Sequence, residues 1–201
     1  MNNYQSGNKH QQDHGEKYAS RAAYKLDSVC SMLGVDFKDK VVLDIGSSSG
    51  GFSDYALRHG ATKVIAVEKG TQQMDPRLIT NPKLELHEKT DIRDFYTSSK
   101  VELILIDVSF ISMEQILPSV LSNKLAGPET VIIAMAKPQF ETSNPELKNH
   151  GVIKNERIRR RLLADLEQWL KPHFVIQAKA DSSLSGVKGN RERFYRLKVA
   201  K

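Results

Sequence analysis

Short apolar runs recur along this chain, each cut off by glycine, proline or a charged residue. Between them, apolar residues return every three to four positions. The runs predict strands at Val41–Ile45, Lys63–Val67, Leu84–His87, Leu103–Ile106 and Thr130–Ala136, with a last pair at Phe174–Ala178 and Phe194–Val199. The helical spacing starts after Ser20, a good N-cap, with Ala22, Leu26, Val29 and Leu33 on one stripe and Gly34 at the stop. Further helices are expected over about Gly51–His59, within Gly70–Asn81, from about Ser112, and over Glu156–Leu170 with Ile158, Leu162, Leu166, Trp169 and Leu170 inward. Phe140 to about Val152 reads as a mobile loop, and Ser182–Asn190 as a flexible one. Strands alternating with helices imply an α/β fold with a mostly parallel sheet covered on both faces. The final two strands, joined without a helix, imply an antiparallel edge. Residues 1–17 carry little apolar content and are expected as a disordered tail, leaving one domain over 18–201.

Composition narrows the setting. The chain has 201 residues, enough for one α/β domain with a sizeable core. Thirty Lys plus Arg against 24 Asp plus Glu give a net charge of +6, with basic residues gathered in Lys154–Arg161 and Lys188–Lys201. Such clusters suit a polyanion, although a plain solvated face explains them equally well. The single cysteine, Cys30, lies in an apolar segment and reads as core, so no internal disulfide is possible. No secretory signal and no apolar run near the ~20 residues needed to span a bilayer are visible, so a cytoplasmic location is expected and no membrane partner. His10 and His14 have helical metal-binding spacing but no accompanying acid or cysteine cluster, so no metal site is expected.

The chemistry starts at Asp44-Ile45-Gly46-Ser47-Ser48-Ser49-Gly50-Gly51-Phe52, where a buried strand breaks into a glycine-rich turn. In open α/β sheets, ligands sit at the carboxyl ends of the strands, beside such turns. Glu68 ends the next strand a little over 20 residues later, where a carboxylate can accept from ribose hydroxyls. The spacing departs from the G-x-G-x-x-G of dinucleotide sites. Asp44 would repel a pyrophosphate but suit a cationic amino-acid end. That combination favours S-adenosylmethionine over NAD, with a ligand-free structural turn as the bland alternative. Asp107 and Lys137 end two more apolar strands, and Asp91 follows another. Asp91 is placed for an adenine amine. Phe52 can pack on the cofactor or equally in the core. Pro138 holds Lys137 extended, with its amine available near a transferred methyl.

Ser20-Arg21-Ala22-Ala23-Tyr24-Lys25-Leu26 resembles the opening helix of FtsJ-type RNA ribose methyltransferases. The motif at Asp44–Phe52, Asp107-Val108-Ser109-Phe110-Ile111-Ser112 and Lys137-Pro138-Gln139-Phe140-Glu141 resemble the TlyA branch of that group, often labelled hemolysin. The resemblance runs from about Tyr18 to the C-terminus. It implies a Rossmann-like S-adenosylmethionine-dependent methyltransferase fold and transfer to ribose 2′-hydroxyls of ribosomal RNA. It also implies a tetrad of Lys25, Asp107, Lys137 and Glu192, and cofactor contacts at Gly50, Phe52, Glu68, Asp91 and Asp107, to which the residues themselves add Asp44 and Gly46. TlyA proteins usually begin with a small RNA-binding domain, which the polar N-terminus here is too short to hold.

On this reading Lys137 is the general base and the acids orient its amine, while ribosomal RNA or a ribosomal subunit is the partner. Arg21, Lys154, Arg157, Arg160, Arg161, Lys188 and Arg191 are candidate phosphate contacts. Three other functions stay open at this stage: a binding protein without transfer, a pore-forming hemolysin, and a methyltransferase of small molecules.

Overall fold

A computed structural model describes residues 17–147, 150–186 and 188–200. The polar tail, with His10 and His14, lies outside them. The described chain runs α1 (Arg21–Leu33), β1 (Val41–Ile45), α2 (Gly51–Arg58), β2 (Lys63–Val67), α3 (Pro76–Ile79), β3 (Leu84–His87), β4 (Leu103–Ile106), α4 (Met113–Ser122), β5 (Val131–Ala136), α5 (Glu156–Leu170), β6 (Phe174–Asp181) and β7 (Arg193–Val199), with 3₁₀ turns at Ile92–Asp94 and Pro145–Leu147. The expected stop and start signals act as read. The Ser20 hydroxyl accepts from the Ala22 amide, and Gly34 closes α1 in the left-handed region.

The described strands form one sheet in the order β3-β2-β1-β4-β5-β7-β6. β1 to β5 pair in parallel, and β7 is antiparallel to both of its neighbours. The antiparallel pair expected at the chain's end is present, but its second strand is inserted, so β7 separates β5 from the outer strand β6. Because β7 runs backward, its first residues lie at the same rim as the last residues of β4 and β5. Ala136 faces Arg193 in the register.

Alternate residues of each strand feed two cores. Val42, Val64, Leu103, Leu105 and Ile133 pack under α1 and α2 with Leu26, Val29, Phe52 and Tyr55. Leu43, Ile65, Ile104, Ile106 and Ile132 pack under α4 and α5 with Ile116, Leu117, Leu163 and Leu166. Burial on both faces explains why these strands appear as unbroken apolar runs. The strand order reverses between β1 and β4, which opens a crevice at their carboxyl ends. Among the described residues, no helix is long and apolar enough to cross a membrane.

Candidate active site

A cavity of about 690 Å³ fills that crevice. Its wall comes from the segments that leave β1, β2, β3 and β4, including Gly46, Glu68, Asp91, Asp107 and Ile111. Gly46 allows the chain to turn there. Its φ is +82°, its N–H donates to Val67 O at 2.9 Å, and a Cβ would lie 2.9 Å from Asp107 O. Glu68 is locked in place, its two oxygens accepting from the amides of Ser48 (2.9 Å) and Gly70 (2.7 Å).

The four residues of the expected tetrad come together beside this cavity as two ion pairs. Lys137 Nζ is 2.5 Å from Asp107 Oδ1, and Lys25 Nζ is 2.9 Å from Glu192 Oε1. The topology explains the meeting. Asp107 leaves β4, Lys137 leaves β5, and Glu192 enters the reversed β7 between them and β6. Lys25 reaches in from α1 and is mostly buried, with the side chain 12% exposed. Asp107 belongs to both the cavity wall and the tetrad. Burial pushes its carboxyl up from the ordinary value, and Lys137 and then Lys25 pull it back. Glu192 is buried, and its Oε2 accepts no hydrogen bond from the described residues.

The other expected cofactor residues differ in how they stand to the cavity. Phe52 does not face the cavity. It is 2% exposed in the core beneath α1, its ring 6.1 Å from that of Phe194. It lies on the inward stripe of α2, the alternative reading its position always allowed. Gly50 does not line the cavity, and a Cβ there would meet Met74 and Leu78. Asp91 is in the wall, but its oxygens hold Arg93 (2.6 and 2.9 Å) and Lys69 (3.2 Å), so an adenine amine would share them. The hydrogen bonds from Arg93 keep the Asp91 carboxyl well below the usual range. Asp44 is fully buried, with one oxygen accepting from the Ser53 hydroxyl at 2.6 Å.

Burial raises the Asp44 carboxyl to about 7, with the Ser53 hydroxyl opposing. The folded protein therefore holds this proton where the unfolded chain, with an aspartate near 3.8, has released it. Asp44 contributes stability below pH 4, and that contribution is lost as pH rises toward 7. A cationic ligand at Asp44 requires the ionised form, so its affinity should rise from pH 6 to 7.5, and Asp44→Asn should flatten that rise. Calorimetric titration with S-adenosylmethionine across this range checks both; an unchanged profile in the variant would exclude Asp44 as the titrating group.

Of the candidate phosphate contacts, Arg21, Lys154, Arg157, Arg160, Arg161, Lys188 and Arg191 are all exposed. Arg21 donates to Ser185 O at 3.3 Å, and Arg160 to Glu156 at 3.2 Å. Two residues were missed. Ser109 accepts from Lys137 Nζ at 2.8 Å, and only its place in the Asp107–Ser112 motif hinted at that. Arg159 is buried at 3% exposure in the middle of the basic run of α5. Its spacing to Leu162, Leu163 and Leu166 puts it on the apolar stripe, a signal that was available.

TlyA of Campylobacter jejuni, named a 23S rRNA (cytidine-2′-O)-methyltransferase, is 40% identical over 90% of this chain and 70% of its own length. TlyA of Mycobacterium tuberculosis, named a 16S/23S rRNA (cytidine-2′-O)-methyltransferase, is 31% identical over 93% of this chain and 70% of its own length. The curated relatives that match most of this chain are longer, and the chain spans 64–75% of their length. A solved structure from Streptococcus thermophilus with a provisional hemolysin label superposes with a TM-score of 0.85 at 28% identity, over 94% of this chain and 70% of that one. The FtsJ-like methyltransferase description matches residues 18–199. With a sheet of this order, a crevice at its switch point and that match, the chain belongs to the FtsJ-like methyltransferase family.

Proposed function

We propose that this protein transfers a methyl group from S-adenosylmethionine to a ribose 2′-hydroxyl of ribosomal RNA, with Lys25, Asp107, Lys137 and Glu192 as its catalytic residues. The observation that carries the reading is the pair of ion pairs at one rim, sharing Asp107 with the cavity. The names of the TlyA relatives support RNA ribose as the acceptor.

The cavity fits the donor chemically. Asp44 Oδ1 and Ser47 Oγ, next in sequence to the wall residues Ile45, Gly46 and Ser48, are buried without a hydrogen-bond partner among the described residues, a polar capacity that a ligand ammonium would fill. Glu68 is aimed by two backbone amides and keeps lone pairs for ribose hydroxyls. S-adenosylmethionine when bound supplies a methyl already activated on a sulfonium. The protein's own task is then to hold the ribose oxygen in line and remove its proton. Lys137 Nζ takes that proton in its neutral form, after its ammonium has released one to solvent, with its two remaining N–H bonds donated to Asp107 and Ser109 and its lone pair toward the hydroxyl. Its contacts to Asp107 and Ser109 fix the amine, leaving its remaining direction for the substrate. Lys25, held by Glu192, supplies positive charge next to the oxygen as it loses its proton.

Incubating the protein with undermethylated ribosomal RNA and tritium-labelled donor tests the reading, with mass spectrometry locating the label. Label on a ribose 2′-oxygen is expected; no label on ribosomal RNA or on either subunit would overturn it.

The exposed basic residues of α5 and of the segments around Lys154 and Lys188 are the proposed phosphate contacts. If five to seven of them meet a single strand, log affinity should fall against log salt with a slope of about −3.5 to −5. Filter binding between 50 and 200 mM salt reads this directly, and a flat line removes these contacts.

A further inference from the structure

Arg159 differs from its neighbours on α5. Arg157, Arg160 and Arg161 are exposed, whereas Arg159 is buried. A buried guanidinium is tolerated only when paired and hydrogen-bonded. Arg159 Nη2 lies 2.8 Å from Asp181 Oδ1, Nη1 lies 3.1 Å from Glu156 Oε1, and Nε donates to Arg191 O at 3.1 Å. Asp181, the last residue of β6, also accepts from Arg193 Nε at 2.6 Å. The residues immediately before and after Glu192 are thus both tied to one Arg159–Asp181 pair. Glu192 O itself accepts from Ser182 N at 3.0 Å, a third tie on this stretch.

The Glu192 side chain needs such support. Among the described residues its one hydrogen-bond partner is Lys25 at Oε1, and Oε2 accepts nothing. The direction of the carboxylate is therefore set by its own backbone. We infer that Arg159 is a positioning residue: with Asp181 it holds the chain on both sides of Glu192 and so aims that carboxylate at Lys25. The inference rests on the proposed role of Glu192 in methyl transfer. Arginine is required because its planar fork serves Asp181, Glu156 and a backbone carbonyl together, which a lysine ammonium at one point cannot.

A double-mutant cycle tests this. Single-turnover methyl transfer to ribosomal RNA is measured at saturating RNA and donor, and the rate is divided by the number of donor-binding sites counted by calorimetry. Arg159→Lys should slow transfer by about ten- to a hundredfold, the cost of slight misplacement, with donor affinity unchanged. Glu192→Gln should also be slow. Adding Arg159→Lys to Glu192→Gln should slow it no further, because the brace then has no carboxylate to aim. Leu170→Ala, buried at the far end of the same helix, should lower the melting temperature but not the rate per site. If Arg159→Lys does not fold, Asp181→Asn takes its place in the cycle. A normal rate in Arg159→Lys, or a full additional loss in the double variant, overturns the inference while the site reading stands. A normal rate in Glu192→Gln removes both.

Discussion

Lys137→Ala is expected to lower methyl transfer by about 100- to 10,000-fold, the range assigned to a lost general base, while donor affinity stays within about twofold. The split follows from position. Lys137 touches Asp107 and Ser109 and is nearly buried, yet it forms no part of the cavity wall. Truncating it removes the proton acceptor and leaves the donor's surroundings in place. The stability cost should be limited. Breaking a buried pair by removing one partner costs about 3–5 kcal/mol when the survivor stays charged. Asp107 need not stay charged, because burial already pushes its carboxyl up and Lys137 is the first force pulling it back. Without the lysine it can take a proton and so cap the penalty. Lys137→Arg separates the two roles. It restores a cation to Asp107, and hence stability, but a guanidinium does not give up its proton in proteins and cannot serve as a base. Stopped-flow or quench rates, calorimetric donor titration and thermal melts on the two variants check these outcomes. Transfer by Lys137→Arg near the normal rate would rule out Lys137 as the base.

The parts of this fold that the sequence discloses are those where burial is two-sided. β1, β2 and β4 occupy the expected residues because a run such as Leu103–Ile106 is apolar on every position and ends abruptly at a charge, whereas β3, only partly buried at the sheet's edge, is found from the alternation of Leu84 and Leu86 with polar residues. β6 extends further than its apolar start suggests, through Lys179 to Asp181, because at the sheet's edge it alternates and its polar half looks like loop. The insertion of β7 between β5 and β6 is invisible locally, since strand order is a long-range property. For the site, charges at strand ends were legible and their convergence followed from the rule for open sheets. Whether Phe52 meets ligand or core stays open in the sequence for a physical reason that Gly50 and Arg159 share. Each depends on which way a helix or turn faces, and one residue's rotation about α2 or α5 decides between ligand, core and solvent. Arg159 shows the difficulty: its spacing to Leu162, Leu163 and Leu166 marks it as inward, but Asp181 and Arg191, the partners that make an arginine tolerable there, come from far along the chain.

Gly46→Ala should be the most damaging small substitution near the cavity. The residue is pinched between two strands: its N–H donates to Val67 at the end of β2, and Asp107, whose N–H donates to Ile45 O at 3.0 Å, closes the other side. A methyl group would meet Asp107 O at 2.9 Å, Asp107 C at 3.1 Å and Val108 Cα at 3.2 Å, all backbone atoms that cannot swing aside. The φ of +82° adds strain for any L side chain. Together these should cost about 2–3 kcal/mol, lowering the melting temperature by about 4–12 °C for a chain of this size. The functional loss should be larger than the stability loss implies. The segment that must yield carries Asp107, which lines the cavity and holds Lys137. Donor affinity and transfer rate should therefore both fall, by about tenfold or more each, since shifts of the order of an ångström at reacting groups carry such penalties. Gly189→Ala provides the comparison, because Gly189 has a φ of +95° but no atom of the described residues within 4 Å of an added Cβ. It should carry only the conformational cost and leave donor affinity intact. If the two variants lose equal donor affinity, or if Gly46→Ala retains both affinity and rate, then close packing of β1 against Asp107 is not what shapes the cavity.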